Sequence, residues 1–192
     1  MRMGPGDALL IVDVQRDFLP GGALAVADGN AVVPVLNLYI EQACKAAIPV
    51  FASRDWHPAN HCSFRSRGGP WPPHCVRDTA GADFALQLAL PADATIVSKA
   101  MQEDADAYSA FGGTTLAGML RGRSVKRLLV GGLATDYCVL NTVRDALQER
   151  FEVTLLTDAI RAVDVNPGDG VRAEREMREA GAASAQLNDF TP

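Results

Sequence analysis

Long apolar runs, basic tracts, disulfide spacing and histidine are all missing or scarce in this chain, and each gap removes a class of explanation. The run Ala8 to Val14 is far shorter than the roughly 20 apolar residues of a membrane-spanning helix, and it carries Asp13. Met1 to Asp7 lacks the apolar core of a secretory leader, so neither a signal peptide nor a membrane span is expected. No cluster of lysine and arginine stands out, and the net charge is −5. That balance argues against nucleic acid or an anionic membrane as partner and in favour of a small molecule. It leaves a homo-oligomer open. Four cysteines, Cys44, Cys62, Cys75 and Cys138, show neither a disulfide-framework spacing nor a C-x-x-C pair, which fits a reduced, cytoplasmic setting. What remains is an ordinary globular composition, 48% hydrophobic and 21% charged over 192 residues, enough for one domain spanning 1–192.

Apolar runs alternate with amphipathic stretches. Ala8 to Val14, Pro49 to Ser53, Ala94 to Lys99, Val125 to Gly132 and Glu152 to Thr157 read as buried strands, with a sixth at Ala183 to Leu187. Helices are expected over Val33 to Ala47, where Leu36, Ile40 and Cys44 mark a core-facing stripe, over about Cys138 to Arg150, and around Val171 to Ala180. Gly68 to Pro73 and Asn166 to Gly170 read as loops. Strands and helices in alternation imply right-handed crossovers and a three-layer α/β/α domain, doubly wound on a mainly parallel sheet of about six strands.

The three histidines, His57, His61 and His74, fall in one stretch together with Asp55, just beyond the second expected strand. Imidazole and carboxylate ligands suit zinc, iron(II) or manganese(II), and a site short of thiolates tends to keep positions open for water or substrate. The plainer alternative is a loop carboxylate orienting a surface imidazole. A structural zinc using Cys62 and Cys75 is disfavoured, because each follows a histidine directly and neighbours in an extended segment point apart. A helical H-E-x-x-H site is also disfavoured, because Pro58 and Asn60 sit between His57 and His61 and no glutamate does.

In parallel sheets, ligands collect beyond the carboxyl ends of the strands. Those ends carry Asp13, Asp55, Lys99 and the segment Gly131 to Cys138. A cysteine in the first turn of a helix gains from the positive end of the helix dipole, and a nearby lysine would lower its pKa further. Asp13, Lys99 and Cys138 at one sheet edge would make a general base, a charge stabiliser and a nucleophile. Alternatively Asp13 caps a turn, Lys99 emerges into solvent and Cys138 is inert.

Five segments in order, Asp13-Val14-Gln15-Arg16-Asp17-Phe18, Asp55-Trp56-His57-Pro58-Ala59-Asn60-His61, Pro72-Pro73-His74-Cys75, Asp106 to Phe111 and Gly132 to Val139, resemble the nicotinamidase (pyrazinamidase) branch of the isochorismatase-like cysteine hydrolases. The resemblance runs from about Ala8 to Leu187. It implies a catalytic triad of Asp13, Lys99 and Cys138, and an oxyanion hole from the N–H groups of Ala134 and Cys138, aimed by a cis peptide between Leu133 and Ala134. It also implies one divalent metal, zinc before iron or manganese, on Asp55, His57 and His74, with His61 or Ser63 as further ligand candidates. The pocket would be walled by Phe18, Trp71, Tyr108, Leu133, Ala134 and Tyr137. The implied reaction is hydrolysis of nicotinamide, and of pyrazinamide, through a cysteine thioester in NAD salvage. Ala100 and Tyr137 depart from the family pattern, where glycine and histidine are frequent, and put pocket shape in question. Two rivals are kept: an N-carbamoyl hydrolase of the same fold, and a non-catalytic metal protein.

Overall fold

Residues buried on both faces form the central strands, and the two edge strands are partly exposed. A computed structural model describes residues 1–190, so the last two residues of the expected 1–192 domain lie outside the described residues. The strands are β1 (Asp7–Val12), β2 (Val50–Asp55), β3 (Thr95–Lys99), β4 (Arg127–Leu133), β5 (Glu152–Arg161) and β6 (Ala183–Ala185). They form one wholly parallel sheet in the order β3-β2-β1-β4-β5-β6. The chain winds outward from β1 to β3, then returns to lay β4 on the other side of β1. This is the doubly wound architecture expected, and its switch point lies between β1 and β4.

Alternation along β1 splits the core. Leu9 and Ile11 face helix α1 (Val32–Lys45), while Ala8, Leu10 and Val12 face α2 (Leu116–Gly122), α3 (Leu140–Gln148) and α4 (Asp169–Glu179). No α-helix links β2 to β3. The connection over 56–94 is irregular, and its Cys75, Ala82, Ala85 and Leu88 complete the α1 side of the core.

Four local expectations are corrected. Cys44 is exposed, because successive steps of four residues drift about 40° each around a helix; Ala43 takes the buried place instead. Asp55 is the last residue of β2 rather than lying beyond it. The expected loop at 166–170 is cut short by the start of α4 at Asp169. Helix α2 is not anticipated by the sequence pattern, since LAGMLRG is one short turn pair weakened by two glycines.

Gly132 controls how closely the two switch-point strands end. It pairs with Val12, has φ +126°, and a Cβ there would sit 2.1 Å from the Val12 carbonyl oxygen. Only glycine lets β4 press against β1 at the point where both deliver polar residues.

Candidate active site

Four neighbouring strands each deliver a functional side chain at or beyond their carboxyl ends. Asp13 follows β1 with φ 49°, Asp55 closes β2, Lys99 closes β3, and Cys138 sits in a π-helical turn, Thr135–Val139, after β4. The Leu133–Ala134 peptide entering that turn is cis.

The other three converge on the Lys99 ammonium, which is buried. Its Nζ donates to Asp55 Oδ1 at 2.5 Å and to the Ala107 carbonyl at 3.0 Å, lies 3.0 Å from Asp13 Oδ2, and reaches Cys138 Sγ at 3.6 Å. Burial works against the charged amine, but Asp13 and Asp55 outweigh it and hold the Lys99 pKa well above its usual range. For Asp13 burial wins over Lys99, so its carboxyl is raised and is a better proton acceptor than a surface aspartate. For Asp55 burial is overcome by Lys99 and then by His57, and its carboxyl stays ionised. The Cys138 thiol is pushed well above its ordinary value by burial, which Lys99 only partly offsets, with both carboxylates adding to the rise. This corrects the expectation of a depressed thiol. The sulfur rests protonated, with a base beside it.

Asp55, His57 and His74 form a second group, all buried, with one ligand atom from each lying within 4.8 Å of the others. Two carbonyls orient the rings. His57 Nδ1 is 3.3 Å from the Ala100 oxygen and His74 Nδ1 is 2.8 Å from the Pro72 oxygen, which in the neutral tautomers leaves both Nε2 lone pairs unengaged. His57 Nε2 is buried without a hydrogen-bond partner and 3.6 Å from Asp55 Oδ2. Burial lowers the His74 pKa and favours the neutral, ligating form. An orphaned buried nitrogen, a second neutral imidazole and an ionised carboxylate fit a divalent metal. His61 and Ser63 are engaged elsewhere. His61 Nδ1 accepts from Ser63 Oγ at 2.7 Å, its Nε2 faces the Ala105 oxygen at 3.3 Å, and its ring packs 4.2 Å from that of His57.

A cleft joins the two groups, since Asp55, His74 and Cys138 all line it. Phe18, Trp71, Tyr108, Ala134 and Tyr137 also line it. Trp71 Nε1 donates to Tyr108 Oη at 3.0 Å, and Tyr137 packs edge-on to Trp71. Leu133 lies in the core beneath rather than in the wall, where Leu24, Val26 and Val163 complete the apolar lining.

Three supporting residues are not evident from sequence. Ser53 Oγ donates to Asp13 Oδ1 at 2.7 Å. Asp17 accepts from the Cys75 N–H at 2.7 Å, next to His74, and from Ala23 at 3.2 Å. Gln15, fully buried, donates to the Asp55 and Ala82 carbonyls at 2.8 and 2.9 Å and accepts from the Asp55 N–H at 2.8 Å.

The isochorismatase domain family matches residues 7–187. A nicotinamidase of Escherichia coli (strain K12) is 41% identical, with 97% of each chain aligned. A nicotinamidase/pyrazinamidase of Mycobacterium tuberculosis is 38% identical over 90% of this chain and 95% of its own. Among solved structures, the pyrazinamidase of Pyrococcus horikoshii in complex with zinc superposes with a TM-score of 0.92 at 50% identity, covering 95% of this chain and 100% of that one. PnC1 from L. infantum in complex with nicotinate gives 0.90 at 35% identity, covering 100% and 99%.

Proposed function

This chain belongs to the isochorismatase family, and from that premise we propose that it is a nicotinamidase, releasing ammonia from nicotinamide and also from pyrazinamide, in NAD salvage. The observation that carries the reading is one cleft lined together by Cys138, by Asp55 and His74, and by the rings of Phe18, Trp71 and Tyr108. A flat heteroaromatic ring fits between the aromatic walls, and its carboxamide then meets the sulfur. Asp55, His57 and His74 would hold the divalent ion, zinc first, as in the zinc-bound relative. When bound, it supplies a Lewis acid that anchors the ring nitrogen.

The chain's own residues do the rest. Asp13 takes the Cys138 proton as sulfur attacks the amide carbon, and the Ala134 and Cys138 N–H groups receive the oxyanion. Asp13 returns that proton to the departing nitrogen; the C–N bond breaks, ammonia leaves and a thioester remains. Asp13 then deprotonates water, whose oxygen attacks the thioester carbon, and the sulfur leaves and regains the proton. Lys99 keeps two neighbouring carboxylates tolerable throughout. The triad, oxyanion and pocket roles rest on this geometry together with the family resemblance. A cytoplasmic setting accords with four unpaired cysteines, and no helix among the described residues is long and apolar enough to cross a membrane.

The test is ammonia release from nicotinamide by the purified protein, after chelation, after metal add-back and in Cys138→Ala. Loss on chelation with recovery on add-back, and none in the variant, is the expected pattern. A folded, metal-loaded wild type that releases no ammonia overturns the assignment.

A further inference from the structure

Lys99 occupies a position suited to a metal ion. Its Nζ meets four groups from four separate parts of the chain: Asp13 Oδ2, Asp55 Oδ1, the Ala107 carbonyl and Cys138 Sγ, at 3.0, 2.5, 3.0 and 3.6 Å. Two buried carboxylates, a carbonyl and a thiol are a ligand set that a thiophilic divalent ion accepts. The set is also preformed, since ligand atoms of Asp13, Asp55 and Cys138 lie within 4.8 Å of one another. Asp13 Oδ2 is buried, makes no hydrogen bond of good geometry and faces the amine at 3.0 Å.

Asp55 joins this set to the histidine group. Its Oδ1 faces the ammonium and its Oδ2 faces His57 Nε2. Two cation sites sharing one carboxylate are the plan of a binuclear metal centre. Here one half is filled by a cation tethered to the chain.

We propose that Asp13, Asp55 and Cys138, with the Ala107 carbonyl, constitute a second cation site, and that Lys99 fills it so as to keep thiophilic divalent ions off the Cys138 sulfur. A protein that gathers a divalent ion beside a cysteine nucleophile exposes that nucleophile to the same ions. A divalent ion bonded to the sulfur draws off its negative charge and obstructs its approach to the amide carbon. The ammonium balances the carboxylates yet touches sulfur only at 3.6 Å, leaving it available. Being tethered, it is present at high effective concentration whatever the metal supply. A divalent ion would have to expel a fully buried amine that both carboxylates hold. With the amine removed, an entering ion M²⁺ bonds to sulfur, the thiol proton passes to buffer, and no oxidation state changes. The proposal does not depend on which amide the cleft accepts.

The test is a cobalt(II) titration of wild type, Lys99→Ala and Lys99→Ala/Cys138→Ser, each checked for folding by circular dichroism. Lys99→Ala is expected to take up one ion more than wild type, with a sulfur-to-cobalt charge-transfer band. The double variant is expected to lose that band, which separates Cys138 from the more accessible Cys44 and Cys62. Equal uptake by wild type and Lys99→Ala, or a band that survives in the double variant, overturns the second site. A band assigned to Cys138 in wild type overturns the exclusion. If Lys99→Ala does not fold, wild type carries the test: the rate at which iodoacetamide labels the Cys138 peptide should be unchanged by excess zinc, and protection by zinc refutes the proposal.

Discussion

Replacing Gln15 with methionine would remove three buried hydrogen bonds while nearly conserving volume. The amide pairs with both backbone groups of Asp55, at 2.8 Å each, and donates to the Ala82 carbonyl at 2.9 Å. Methionine leaves the Asp55 N–H and two carbonyls without partners. Each abandoned buried group costs about 1–3 kcal/mol, so the sum is about 3–6 kcal/mol after some local relaxation. Against a usual total of roughly 5–15 kcal/mol, that is a large share. The loss should appear in urea unfolding of metal-free protein. Loosening the backbone of Asp55 should also blur its carboxylate relative to His57 and His74, weakening divalent metal by about 10–100-fold in competition with a chelator. A stability loss below about 1 kcal/mol would refute the hydrogen-bond accounting. A large stability loss with unchanged metal affinity would refute Gln15 as a positioning residue and leave it merely structural.

Other expectations follow from single features. Because burial raises the Cys138 thiol, its alkylation rate should climb with pH through the ordinary thiol range, and a plateau at neutral pH would contradict the resting thiol. Gly132→Ala drives a Cβ to within 2.1 Å of the Val12 carbonyl oxygen at φ +126°, so a loss of about 3 kcal/mol or more is expected, read as insoluble or early-melting protein. Tyr39→Phe removes the 2.8 Å hydrogen bond to Asp158, whose other oxygen accepts from the Leu187 N–H. It should cost about 1–2 kcal/mol in thermal unfolding, and a neutral result would mean Asp158 holds the C-terminal turn unaided.

The parts of the molecule legible in sequence are those written in short-range pattern. Strands buried on both faces announce themselves as apolar runs, and a polar residue at or just past the end of a run is enough to single out Asp13, Asp55 and Lys99. Ordered motifs then link them to Cys138. Couplings between strands are not legible, because nothing in the local sequence says that Gln15 reaches the backbone of a residue 40 positions away or that Ser53 binds Asp13. The protonation state of Cys138 is misjudged for a related reason. A helix start and a lysine are visible locally, whereas the desolvation and the second carboxylate that outweigh them arise only in three dimensions. Cys44 shows the opposite limit, a periodicity followed with a step slightly too long.

The proposed reacting groups and much of the cleft wall come from different kinds of structure, although Ala134 and Tyr137 share the turn that carries Cys138. Asp13, Asp55, Lys99 and Cys138 stand at or just beyond the ends of parallel strands, whereas Phe18, Leu24, Val26, Trp71, His74 and Tyr108 stand on the irregular segments between β1 and α1 and on either side of β3. Loops accept insertions and substitutions that a sheet does not. The chemistry is therefore inherited with the fold, while admission to it is decided by surface segments that can diverge independently. Substitutions in those segments can change what the cleft admits while leaving the buried ammonium and sulfur in place.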